Sequence, residues 1–124
     1  NKPGFNPPGW VFGPVWTTLF VLMGVSLYLV WNYKPENKIN RKKKNIALTV
    51  FLVHLFLNIL WSFLFFGLKN PGIAFIEIII LGVSIIITGI LFYRISKPAG
   101  YLLIPYWLWV SFAAILNFSI FLLN

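Results

Sequence analysis

Of 124 residues, 60% are hydrophobic, two are acidic and ten are basic, giving a net charge of +8 and a mean hydropathy of +0.87. That is more apolar surface than one small aqueous core can hide, so the chain reads as an all-α integral membrane protein, a transmembrane helix bundle. Without cysteine and with His54 as its one histidine, it excludes disulfides, thiolate chemistry, a conventional metal site and a Ser/His/Asp hydrolase.

Residues 1–12 hold Pro3, Pro7, Pro8, Gly4 and Gly9 and predict a Pro-rich loop on the outer side of the membrane, feeding a first span over about 13–33. Pro14 is tolerated in the first turn, where its missing N–H has no intrahelical partner, and Trp31 and Tyr33 mark an interface. A basic connector, Lys34 to Asn45, precedes a second span over about 46–67. Lys69-Asn70-Pro71-Gly72 predicts a tight turn. The third span covers about 72–94 and is rich in isoleucine, which suits a helix where backbone groups must bond internally. After the connector at Arg94 to Gly100, the fourth span runs over about 100–123, with Pro105 expected to bend its first turns. Strict apolar/polar alternation is absent, which disfavours a β-barrel, and the opening lacks the basic-then-apolar pattern of a signal peptide.

Six of the ten basic residues lie between Lys34 and Lys44. Basic residues gathered in a connector between apolar spans fit membrane topology and not a nucleic-acid groove, so no nucleic-acid partner is expected. The positive-inside rule places the loops 34–45 and 94–100 in the cytoplasm and both ends of the chain on the opposite side.

Within the spans stand side chains that a passive anchor does not need: Trp16, Phe20, Asn58, Trp61, Glu77, Trp109 and Asn117. Polar groups are costly against lipid, so these residues are expected to face protein or a ligand. Counting ~1.5 Å per residue from Gly13, Gly67, Gly72 and Asn124 puts most of them in the same outer half of the bilayer, with Trp109 nearer its middle. Trp16 and Phe20 are four residues apart, Asn58 and Trp61 three, and Trp109, Ala113 and Asn117 follow at intervals of four, so each set shares a helix face. Two readings follow. The residues are helix contacts, or they line an aromatic cavity with Ala113 leaving room for a large, flat, apolar ligand. Glu77 is the one acid within a span and a functional candidate on that ground. A lone histidine such as His54 is more often hydrogen-bonded structure than a haem ligand.

Three segments carry a family resemblance: Pro7-Pro8-Gly9-Trp10-Val11-Phe12-Gly13-Pro14-Val15-Trp16, then Leu57-Asn58-Ile59-Leu60-Trp61 through Phe65-Phe66-Gly67, and Pro105-Tyr106 through Trp109-Val110-Ser111-Phe112-Ala113 to Leu116-Asn117. Together they resemble the tryptophan-rich sensory protein / translocator protein (TspO/MBR) family. The resemblance implies a bundle of five helices, with the four in this chain matching helices 2–5 and the first family helix absent ahead of Asn1, leaving the ligand pocket one wall short.

It further implies a receptor, sensor or transporter that binds porphyrins, haem and related tetrapyrroles, some sterols and benzodiazepine-type ligands, with membrane lipid around it and a homodimer as its assembly. No cofactor is required; porphyrin or haem enters as ligand. On the family pattern the Pro-rich loop with Pro8 and Trp10 covers a pocket lined by Trp16 and Trp109, beside Asn58, Trp61 and Ala113. An acid often stands at the position of Glu77, whereas His54 replaces a common glutamine. The sterol-recognition tyrosine and basic residue near the end of the last helix have no counterpart in Asn117-Phe118-Ser119-Ile120-Phe121-Leu122-Leu123-Asn124, which points to a bacterial or archaeal type of member. For some members the resemblance suggests light-dependent porphyrin breakdown, with Trp16 and Trp109 as the oxidisable groups. A membrane scaffold without a small-molecule ligand is the remaining alternative.

Overall fold

The computed structural model describes the backbone of residues 9–123 and side chains from residue 13 onward. Pro8, the side chain of Trp10 and the two chain ends lie outside the described residues. The elements are α1 (Gly9–Trp31), α2 (Lys38–Ser62) closed by a π-helical turn (Phe63–Gly67), α3 (Pro71–Ile95), a short α4 (Lys97–Tyr101) and α5 (Ile104–Leu123). Among the described residues four helical stretches are long and apolar enough to cross a membrane: Gly13–Trp31, Lys38–Gly67, Pro71–Ile95 and Lys97–Leu123. The chain is an integral, multi-pass membrane protein, and the bundle alternates direction from one long helix to the next.

Three boundaries differ from the sequence reading. Helix α1 starts at Gly9, inside the segment 1–12 read as loop. Pro14 removes only the N–H that would meet the carbonyl of Trp10, and one lost bond does not keep the preceding residues out of the helix.

The connector expected over 34–45 is helical from Lys38. Lysine and arginine are good helix formers, and the Asn37 side chain caps the start by accepting from the Asn40 N–H at 2.8 Å. Lys44 then reaches back, donating to the carbonyls of Trp31 at 2.7 Å and Tyr33 at 2.8 Å, and so closes the end of α1 from α2.

The bend expected from Pro105 is instead a break at Leu102–Leu103, between α4 and α5. Pro105 sits in the first turn of α5, where no donor is needed.

Between α2 and α3 the chain turns through Lys69, which takes a left-handed φ of 52°. Asn70 caps α3 by accepting from the Ile73 N–H at 3.2 Å, with Pro71 in its first turn.

The helices carry a pattern that hydropathy alone hides, because both of their faces are apolar. On α3 the exposed face is large and branched, including Ile76, Ile79, Ile80, Val83, Ile87 and Ile90. Its buried face carries Ala74, Glu77, Ile78, Leu81, Ser84, Ile85, Thr88 and Phe92. In lipid no hydrophobic force drives helices together, so small and polar residues collect where they meet. Ser26 on α1 does this by donating to the Ala99 carbonyl of α4 at 2.7 Å. Gly100 does it through bare backbone: a Cβ there would stand 2.6 Å from the Cβ and 2.8 Å from the Cα of Tyr93.

Candidate functional site

The unusual residues of the spans fall into three groups. On α2, the buried stripe Ala47, Phe51, His54, Asn58 and Trp61 recurs every three or four residues; the helix packs on α3, and the stripe reaches α5 through side-chain hydrogen bonds. On α5, Tyr106, Val110, Ala113, Leu116 and Asn117 form the matching stripe.

The first group lies where these two stripes meet at the level of His54. The Asn58 amide donates to the Tyr106 hydroxyl at 2.5 Å, and His54 Nε2 lies 2.9 Å from the same oxygen. His54 Nδ1 lies 2.9 Å from the Phe51 carbonyl, which can only accept. With a neutral imidazole these bonds are all satisfied when Nδ1–H donates to Phe51 and Tyr106 O–H donates to Nε2. A histidine whose two nitrogens are both engaged inside the fold is a structural one. Tyr106 is the residue that reasoning from the sequence missed. Its signal was present in the α5 spacing, since it precedes Val110, Ala113 and Asn117 on the same face.

The second group joins α2, α3 and α5 near the α2–α3 turn. The Trp61 indole N–H donates to Asn117 Oδ1 at 3.1 Å, and Asn117 Nδ2 donates to the Pro71 carbonyl at 2.8 Å. Trp61 also stacks on Phe65 of the π turn, with centroids 5.1 Å apart and planes at 15°.

The third group is aromatic and spans α1 and α5. The rings of Trp16 and Trp109 meet edge to face at 6.5 Å and 89°. Phe20 lies 5.8 Å from Trp16, and Phe112 lies 5.4 Å from Trp109. Trp16 and Trp109 are half-buried and Phe20 is exposed, so this cluster is accessible where the other two are sealed. Ala113, four residues beyond Trp109, is buried and adds almost no bulk beside it.

Glu77 belongs to none of these groups. It is 6% exposed on the inner face of α3, and neither carboxyl oxygen has a hydrogen-bond partner among the described residues. Among the described residues no set of three His, Cys, Asp or Glu side chains could hold a metal ion.

The three ordered sequence segments agree with one comparison. The profile of the TspO/MBR family matches residues 1–123. The chain belongs to the TspO/MBR family. It is 46% identical over its whole length to the tryptophan-rich protein TspO of Archaeoglobus fulgidus, covering 76% of that protein. To the protein of the same name from Chlorobaculum tepidum it is 43% identical over 99% of its length, covering 75% of that relative. The translocator protein of Homo sapiens is 35% identical over 97% of this chain, which covers 69% of the human protein.

Proposed function

We propose that this chain is a membrane receptor or sensor for porphyrins and related tetrapyrroles, with the ligand held between the Trp16–Trp109 cluster and the inner face of α3. The observation that carries the reading is Glu77. A buried carboxyl with no partner among the described residues is costly, because its desolvation is uncompensated. A ligand with N–H or acid groups would supply the partner. A flat macrocycle suits the aromatic cluster: indole and phenyl rings offer large contact area to a π surface, and Ala113 leaves space beside Trp109. Relatives named translocator protein and tryptophan-rich sensory protein support a ligand-responsive membrane role. Benzodiazepine-type ligands, apolar and aromatic, would use the same walls.

Asn58, Trp61 and Asn117 take a different part in this reading. Their polar atoms are engaged with Tyr106, with each other and with Pro71, so they shape the pocket wall and hold the helices in register. That much of the scaffold alternative is favoured by the hydrogen bonds, residue by residue.

The test is an equilibrium titration of the detergent-solubilised protein with protoporphyrin, followed by tryptophan emission. Saturable quenching is expected, weakened about tenfold in affinity when Trp16 and Trp109 are both replaced by Phe. Quenching that does not saturate, or an affinity indifferent to the double replacement, would overturn the reading.

A further inference from the structure

At the basic end of the bundle, away from the aromatic cluster, a groove of about 390 Å³ runs between the end of α3 and the α4–α5 corner. Its walls are apolar: Ile85, Ile86, Ile90, Leu103, Ile104 and Trp107. Two glycines build it. Gly100 lets α4 press against the α3 backbone at Tyr93, which closes one end. Gly89 leaves the floor open, for a Cβ placed there would meet nothing within 4 Å. Tyr93 and Tyr101 stand at the mouth, their rings edge to face at 5.5 Å. Among the described residues of the lining Arg94 is the one with a charge, and exposed Lys97 follows three residues later.

We propose that this groove is a binding site for an anionic phospholipid, with one acyl chain along the isoleucine walls and the phosphate at Arg94. Depth supports the assignment. From Arg94 to Ile85 is nine residues of helix, roughly 13 Å, close to half of the ~30 Å hydrocarbon core and so the thickness of one leaflet. Ile86, Ile90, Ile104 and Trp107 are exposed on a helix bundle that spans a bilayer, so lipid is what they meet. Charge selects among lipids. A guanidinium at the headgroup level offers paired donors to a phosphate, and no acid stands against it among the described residues of the groove wall. Tyr93, Tyr101 and Trp107 are the residue types that settle at the boundary between acyl chains and headgroups.

The experiment uses the protein in phosphatidylcholine nanodiscs containing a minor fraction of bromine-labelled lipid, either phosphatidylglycerol or phosphatidylcholine. Bromine quenches nearby indole, and a Trp107→Phe variant isolates the contribution of Trp107. Brominated phosphatidylglycerol is expected to reach Trp107 with a preference of about fivefold over brominated phosphatidylcholine. Arg94→Gln should abolish the preference while leaving contact with both lipids. Gly89→Leu, whose side chain enters open space, should reduce quenching by both. Unfolding temperature serves as the check that each variant is folded. Equal quenching by the two lipids, or a preference that survives Arg94→Gln, would overturn the proposal.

Discussion

The seam between α2 and α5 and the inner face of α3 at Glu77 are both buried and both polar, yet they treat hydrogen-bonding capacity in opposite ways. Along the seam Asn58, Tyr106, His54, Trp61 and Asn117 answer one another or a backbone carbonyl. At Glu77 two oxygens are buried with no donor facing them among the described residues. Polar groups that saturate each other hold a membrane bundle together, while an unanswered carboxyl costs stability that only a ligand or other partner recovers. The contrast teaches that burial and polarity within a span do not by themselves mark a binding residue; the hydrogen-bond partner decides.

This difference predicts substitutions of opposite sign. The largest loss is expected for Tyr106→Phe, which strips the acceptor from Asn58 and the donor from His54 at once. It should lower the unfolding free energy by about 2 kcal/mol in a denaturing-detergent titration followed by tryptophan emission. Asn117→Leu breaks the bonds to Trp61 and Pro71 and should cost about 1 kcal/mol in the same titration. Glu77→Leu, similar in volume, removes an unanswered polar group and should instead raise stability by about 1 kcal/mol. A destabilised Glu77→Leu would erase the distinction between the two regions. The smallest effect, about 0.6 kcal/mol, is expected for Ser26→Ala, which cuts the single tie from α1 to the Ala99 carbonyl.

The membrane character and the four spans were legible because a long apolar run has few physical interpretations. Helix faces were legible only in part. Depth counting brought Trp61 and Asn117 to one level, and the structure bonds them. It also grouped Asn58 with them, although the Asn58 amide turns toward Tyr106. Counting assigns a height along a helix; it does not reveal which neighbour's side chain reaches that height, and a long residue such as Tyr106 acts at a distance from its own backbone. The extension of α2 down to Lys38 was hidden for another reason. A hydropathy reading ends a helix where apolar residues stop, whereas Asn37 and the lysines continue it past the bilayer by capping and helix propensity. The groove beside Gly89 left no signal in the sequence, since it arises where Gly100 of α4 presses on the α3 backbone at Tyr93 and the Gly89 carbonyl.

The direct test of the contrast between the two regions is the protoporphyrin dissociation constant of Glu77→Leu, measured beside the unchanged protein by tryptophan quenching. If the open carboxyl serves the ligand, affinity falls about tenfold even as the fold becomes more stable. An unchanged dissociation constant would contradict the assignment of Glu77 to the ligand site.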